Sequence, residues 1–122
     1  MTQTPTLEKR ADFGALCQQH YQRGRIAEIG VQYGVFTETI AQQYTGQIIA
    51  VDIWQDEEIY TQCASRLWHN QYTMLRCPSL QAAAMFPDGY FDAIYIDANH
   101  FKEHVLADIL AWYPKVRSGG II

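Results

Sequence analysis

Three features of this chain predict an α/β fold built on a doubly wound, mostly parallel sheet. Three apolar runs each finish on an acid: Ile26-Ala27-Glu28, Ile48-Ile49-Ala50-Val51-Asp52 and Ala93-Ile94-Tyr95-Ile96-Asp97. Continuous apolar runs suit parallel strands covered on both faces, and sheets of that kind bind ligands outside the carboxyl ends of their strands. Strand-like and helix-like segments alternate with short turns, the pattern of βαβ units. The first run also continues into Gly30-Val31-Gln32-Tyr33-Gly34, a glycine-bracketed turn that leads into a helix and suits a nucleotide.

The elements follow in order. Residues 7 to about 22 are predicted as an amphipathic helix with Leu7, Ala11, Ala15, Leu16 and His20 or Tyr21 on one face, ending near Gly24. The first strand spans about Arg25 to Ile29, a helix runs from Val35 to about Tyr44, and the second strand from Gln47 to Ile53. Asp56 to Asn70 reads as a helix, Tyr72 to Cys77 as the third strand, and Ser79 to Met85 as a short helix stopped by Pro87-Asp88-Gly89. Phe91 to Asp97 is the fourth strand. Asn99 is placed to cap a helix through Tyr113 with an apolar stripe of Val105, Leu106, Ile109, Leu110 and Trp112 or Tyr113, which Pro114 breaks. Gly119-Gly120-Ile121-Ile122 reads as the turn into a fifth strand that is only begun. The expectation is therefore a fold lacking its C-terminal strands, with the fourth strand an unpaired edge open to homo-oligomer formation.

Composition narrows the function classes. The 122 residues, 48% of them hydrophobic, suit a single domain with its own core. A net charge of −4 and the lack of a Lys/Arg cluster argue against nucleic acid or anionic lipid as partner and favour a small molecule. The N-terminus lacks a secretory pattern and no apolar run is long enough to span a bilayer, so a cytoplasmic location is expected. Cys17, Cys63 and Cys77 are odd in number and widely spaced, which fits reduced, packed thiols rather than disulfides or zinc.

The glycine turn allows close backbone approach to a ligand beside the free N–H groups of the next helix. Asp52 follows Gly30 at close to the roughly 20 residues at which an acid holds ribose hydroxyls in nucleotide-binding βαβ units. A nicotinamide fingerprint would need glycines where Gln32 and Val35 stand, which disfavours an oxidoreductase.

Glu28-Ile-Gly30-Val-Gln-Tyr-Gly34, Val51-Asp52-Ile-Trp54, Phe91-Asp-Ala-Ile-Tyr-Ile-Asp97-Ala-Asn-His100 and the closing Gly119-Gly120 resemble a class I S-adenosylmethionine-dependent methyltransferase. The segment from Asp97 to His100, followed by Glu103, Asp108 and Trp112, is most similar to O-methyltransferases of the macrocin type, with catechol and caffeoyl-CoA O-methyltransferases close in pattern. The resemblance covers nearly all of the chain after residue 25 and implies a Rossmann-like core with strand order 3-2-1-4-5. It further implies that Glu28, Gly30, Val31, Gln32, Tyr33 and Gly34 face the methionine moiety of S-adenosyl-L-methionine and that Asp52 holds both ribose hydroxyls. Ile53 and Trp54 then flank the adenine. Cys77-Pro78-Ser79 stands where the family often has Gly-Asp-Ser, leaving Ser79 or Leu80 to serve the adenine.

The proposed chemistry is methyl transfer to a hydroxyl oxygen of a small molecule or sugar. His100 is the candidate proton acceptor, since an imidazole titrates near neutrality, and Asp97 is a candidate catalytic group and ligand of Mg²⁺. Bland readings stand beside these: Asp52 a turn residue, Glu28 or Asp97 a helix cap, His100 a surface residue, Trp54 interior packing. The competing functions are an S-adenosylmethionine-binding fragment without catalysis and, less favoured, a nicotinamide oxidoreductase.

Overall fold

The computed structural model describes residues 10–68, 71–97 and 102–121. A 3-10 turn at Arg10–Asp12 leads into α1 (Phe13–His20), β1 (Arg25–Ile29), α2 (Val35–Gln43), β2 (Gln47–Asp52), α3 (Glu57–Arg66), β3 (Tyr72–Arg76), α4 (Ser79–Ala83), β4 (Phe91–Ile96) and α5 (Lys102–Trp112). A second 3-10 turn, Tyr113–Lys115, precedes β5 (Val116–Ile121). The strands form one parallel sheet in the order β3-β2-β1-β4-β5. This is the expected order.

Side chains alternate between the two faces of the sheet, so each apolar run supplies two layers of core. Ala27, Ile29, Ile49, Val51 and Ile94 pack beneath α4 and α5 with Ala82, Ala83 and Trp112. On the opposite face, Ile26, Ile48 and Ala93 meet Phe13, Cys17 and Tyr21 of the N-terminal segment and Ile40 and Tyr44 from α2 and its end. Ala50 continues this face under α3 with Cys63 and Leu67. Asp56 caps α3, accepting from Glu58 N at 2.9 Å.

Three expectations are corrected. The first helix begins at Phe13 rather than Leu7, which lies outside the described residues. Its buried side is Phe13, Gly14, Cys17 and then Tyr21, while Ala11 and Ala15 are exposed. Phe13, Cys17 and Tyr21 are four residues apart and bulkier than the alanines, so turning them inward buries more apolar area.

The second correction concerns the end of the chain. β4 is not an unpaired edge, because β5 pairs with it in parallel, Phe91 opposite Val116 and Ala93 opposite Ile121 across a register shift. Gly119 and Gly120 lie inside this strand instead of before it. A Cβ at Gly120 would stand 2.3 Å from Asp92 O, so the pairing needs a residue without one. Asp92 fastens the junction, accepting from Arg25 N at 2.9 Å and pairing with Arg117 of β5.

Third, α5 turns Trp112 inward, fully buried, while Leu106, Leu110 and Tyr113 are 56%, 68% and 67% exposed. Leu106, Ile109 and Leu110 of the expected stripe thus face outward, Trp112 of the same stripe is core, and the side chain of Val105 lies outside those described. Among the described residues no helix is long and apolar enough to cross a membrane.

Candidate functional site

The register decides which carboxylates meet. Glu28 of β1 lies level with Ala50 of β2 and Tyr95 of β4. Asp52 and Asp97, two residues further along their chains, therefore stand one pleat beyond Glu28 on the same face and flank Gly30. Backbone bonds extend the alignment: Gly30 N donates to Val51 O at 2.9 Å and Asp97 N to Ile29 O at 2.8 Å. From β1 the sheet grows through β2 and β3 on one side, and the chain then crosses back to add β4 and β5 on the other, so these acids sit at the switch point where open α/β sheets form a crevice.

The loop after β1 is held in a costly conformation. Gly30 (φ +92°), Gln32 (+54°) and Gly34 (+82°) all have positive φ, as does Trp54 (+43°) beyond β2. Such backbone suits glycine but costs other residues about 1–2 kcal/mol. Asp52 offsets that cost by holding both loops: Oδ2 accepts from Gln32 N at 2.7 Å and Oδ1 from Trp54 N at 2.9 Å. Trp54 Nε1 closes the staple by donating to Gln32 O at 2.7 Å. Carboxylate oxygens accept more than one hydrogen bond, so Asp52 retains capacity for ligand hydroxyls.

This staple corrects the expectation for Trp54. Its ring is 2% exposed and packs with Val31, Ala50, Cys63 and Leu67, so it has no face free to lie on an adenine. Ile53 is the open residue at that position, 48% exposed. Across the crevice Leu80 is exposed, and Ser79 Oγ accepts from Trp112 Nε1 at 2.9 Å.

Glu28 is buried and accepts from Thr37 Oγ1 at 2.8 Å. Loss of hydration pushes its carboxyl from 4.5 up to about 8, outweighing the Thr37 hydrogen bond and the Arg10 charge, which both lower it. Near pH 7 it is mostly neutral. Burial likewise pushes the Cys17 and Cys63 thiols up to about 12, which makes them packing groups rather than nucleophiles.

Beside the glycine loop lies a cavity of about 310 Å³, lined by Gly30, Gln32, Tyr33 and Phe36 and by the charged pair Arg10 and Asp97. Arg10 Nη2 lies 3.0 Å from Asp97 Oδ2. Asp97, expected to ligate Mg²⁺, is thus engaged by a cation. Among the described residues no group of three or more His, Cys, Asp or Glu is gathered to hold a metal ion. His100 lies outside the described residues.

The sequence reading missed Arg10 and Thr37. A hydroxyl on the inward face of α2, three residues beyond the turn that follows Glu28, is a legible cue for Thr37 because a buried carboxyl needs a partner. Arg10 has no such cue, since its place depends on how the N-terminal segment crosses the sheet.

The sheet order, the left-handed turn after the central strand and the acids at the flanking strand ends define a Rossmann-like domain of the methyltransferase type. Residues 27–122 match the family described as methyltransferase domain, and the chain belongs to that family. A protein from Sinorhizobium fredii, uncharacterized protein y4gI, is 26% identical over 129 residues, covering 93% of this chain and 14% of that protein. Two solved structures share the fold. One, from Staphylococcus aureus and provisionally assigned as a caffeoyl-CoA O-methyltransferase, aligns with a TM-score of 0.75 at 17% identity over 97% of this chain and 58% of its own. The other, cofactor-bound Rv0187 from MTB, aligns with a TM-score of 0.75 at 22% identity over 96% of this chain and 55% of its own. This chain spans little more than half the length of these structures.

Proposed function

We propose that residues 1–122 act as one S-adenosylmethionine-binding domain of a methyltransferase that methylates a hydroxyl oxygen of a small molecule or sugar, in the manner of the macrocin type. The observation that carries this reading is the placement of Asp52 and Asp97 on either side of Gly30, one pleat beyond Glu28. That arrangement suits a ligand with a diol at one end and charged groups at the other.

The residues present fit such a cofactor. Asp52 would accept from the ribose hydroxyls while its backbone bonds keep it fixed. Ile53 and Leu80, both exposed, would enclose the adenine. The bound cofactor would supply an electrophilic methyl group on a sulfonium. The chain's part is alignment, which lowers the barrier by holding acceptor oxygen and methyl carbon in line. His100 is the proposed acceptor of the hydroxyl proton.

Calorimetry with S-adenosylhomocysteine tests the reading. Asp52→Ala should weaken its binding by about 1.5–3 kcal/mol, the loss expected for charge-assisted hydrogen bonds. Binding of NAD without binding of S-adenosylhomocysteine would sink the assignment. A second reading, cofactor binding without turnover, draws on the Arg10–Asp97 pair, which leaves Asp97 engaged rather than free as a base. A methyl-transfer assay with hydroxylated acceptors separates the two.

A further inference from the structure

The loop between β2 and α3 follows directly on Asp52 and carries Trp54 at a φ of +43°. Trp54 N donates to Asp52 Oδ1, but a bond spanning two residues of one turn does not fix where that turn sits against the sheet. The outside hold comes from β3. Arg76, the last residue of that strand, lies opposite Asp52 in the parallel register, and Cys77 N beyond it donates to Asp52 O at 3.1 Å. From there Arg76 Nη2 donates to Trp54 O at 2.9 Å.

The guanidinium is itself fixed on two further sides. Nη2 also reaches Glu57 Oε2 at 2.6 Å and Nη1 reaches Oε1 at 3.4 Å, which ties the fork to the first turn of α3. Its central carbon lies 4.1 Å from the centre of the Tyr60 ring, and Tyr60 packs edge-on against Trp54 with ring centres 5.4 Å apart. An ion pair whose side chains are 36% and 74% exposed adds little to global stability. Its effect is on geometry. Trp54 is held at three atoms, by Asp52 at its N–H, by Gln32 at its indole and by Arg76 at its carbonyl, and Arg76 is the one of these three holds that comes from outside the two stapled loops.

We infer that Arg76 is a positioning residue for the ligand-binding acid: it fixes the Trp54 carbonyl and, through Trp54, the orientation in which Asp52 meets a diol. This deepens, and rests on, the S-adenosylmethionine reading of Asp52. A carboxylate already held in its binding orientation loses less freedom when the ligand arrives, so the hold is expressed as affinity.

Amide hydrogen exchange on the free chain and calorimetry with S-adenosylhomocysteine test it. Arg76→Met keeps an apolar side chain against Tyr60 and removes the fork. It should speed exchange of the Trp54 and Gln32 amides about tenfold or more, while those of Ile49 and Val51 within β2 stay as in the wild type. It should also weaken S-adenosylhomocysteine about five- to thirtyfold, but less than about twofold in a chain that already carries Asp52→Ala, because residues acting through one another are not additive. Arg76→Lys, a single ammonium that does not span both Trp54 O and Glu57, should fall between. Equal losses with and without Asp52, or faster exchange throughout β2, would make Arg76 a general structural tether and overturn the inference, as would unchanged Trp54 exchange or unchanged affinity in Arg76→Met. Failure of the wild-type chain to bind S-adenosylhomocysteine would overturn the cofactor reading itself, and the inference with it.

Discussion

Gln32 stands where a glycine would be cheapest. Its φ of +54° persists because Asp52 Oδ2 accepts from its N–H and Trp54 donates to its carbonyl. Gln32→Gly would relieve roughly 1–2 kcal/mol of left-handed cost and add roughly 0.5–1 kcal/mol of unfolded-chain entropy. A net gain of about 0.5–1 kcal/mol is expected from urea denaturation, and a loss would show that the side chain itself supports the loop. Glu28 carries a pH signature. Burial raises its pKa from 4.5 to about 8, so the folded chain holds the proton more tightly than the unfolded one. The stability this linkage contributes is complete below pH 4.5 and is lost as the pH rises through about 8. Glu28→Gln keeps an acceptor for Thr37 and removes the titration. Its melting temperature should fall less between pH 5 and pH 9 than that of the wild type, in scans of both proteins.

At the scale of elements, the turn from β1 into α2 is built on Gly34. Its φ is +82°, and a Cβ there would stand 2.9 Å from Cys63 Sγ and 3.2 Å from Leu67 Cγ. Gly34→Ala combines left-handed cost with overpacking against α3, and should destabilise the chain by about 2–3 kcal/mol in denaturant unfolding. A change below about 0.5 kcal/mol would mean that α3 yields at no cost. α1 and α5 show the limit of periodicity. Both have more than one apolar arc, and the contact that chooses between arcs lies elsewhere: Phe13 against Tyr95 for α1, Trp112 against Phe91 and Ser79 for α5. The four described strands that were expected in full, from β1 to β4, fall within a residue of their predicted bounds because apolar runs and turn residues are local signals.

For the molecule as a whole, the outward face of α5 and β5, one of the two edge strands, are surfaces open to another chain. Leu106 and Leu110 expose apolar area on α5 and Tyr113 on the turn that follows it, and among the described residues β5 has a neighbour only in β4. Concentration-dependent self-association is expected in light scattering, and Leu106→Glu with Leu110→Glu should reduce it. A strictly monomeric wild type at high concentration would contradict this.

By itself the sequence determined the α/β class, the succession of strands and helices, the glycine turn and the acids at three strand ends. All of these rest on residues close together in the chain. The tertiary structure decided the rest: that Asp52 staples two left-handed loops, that Trp54 is core, that β5 pairs with β4 through a glycine, and that Arg10 reaches Asp97 across 87 residues of chain. Each of those depends on which side chain faces which neighbour. That choice is made by burial and charge pairing between segments distant in sequence, to which local periodicity is blind.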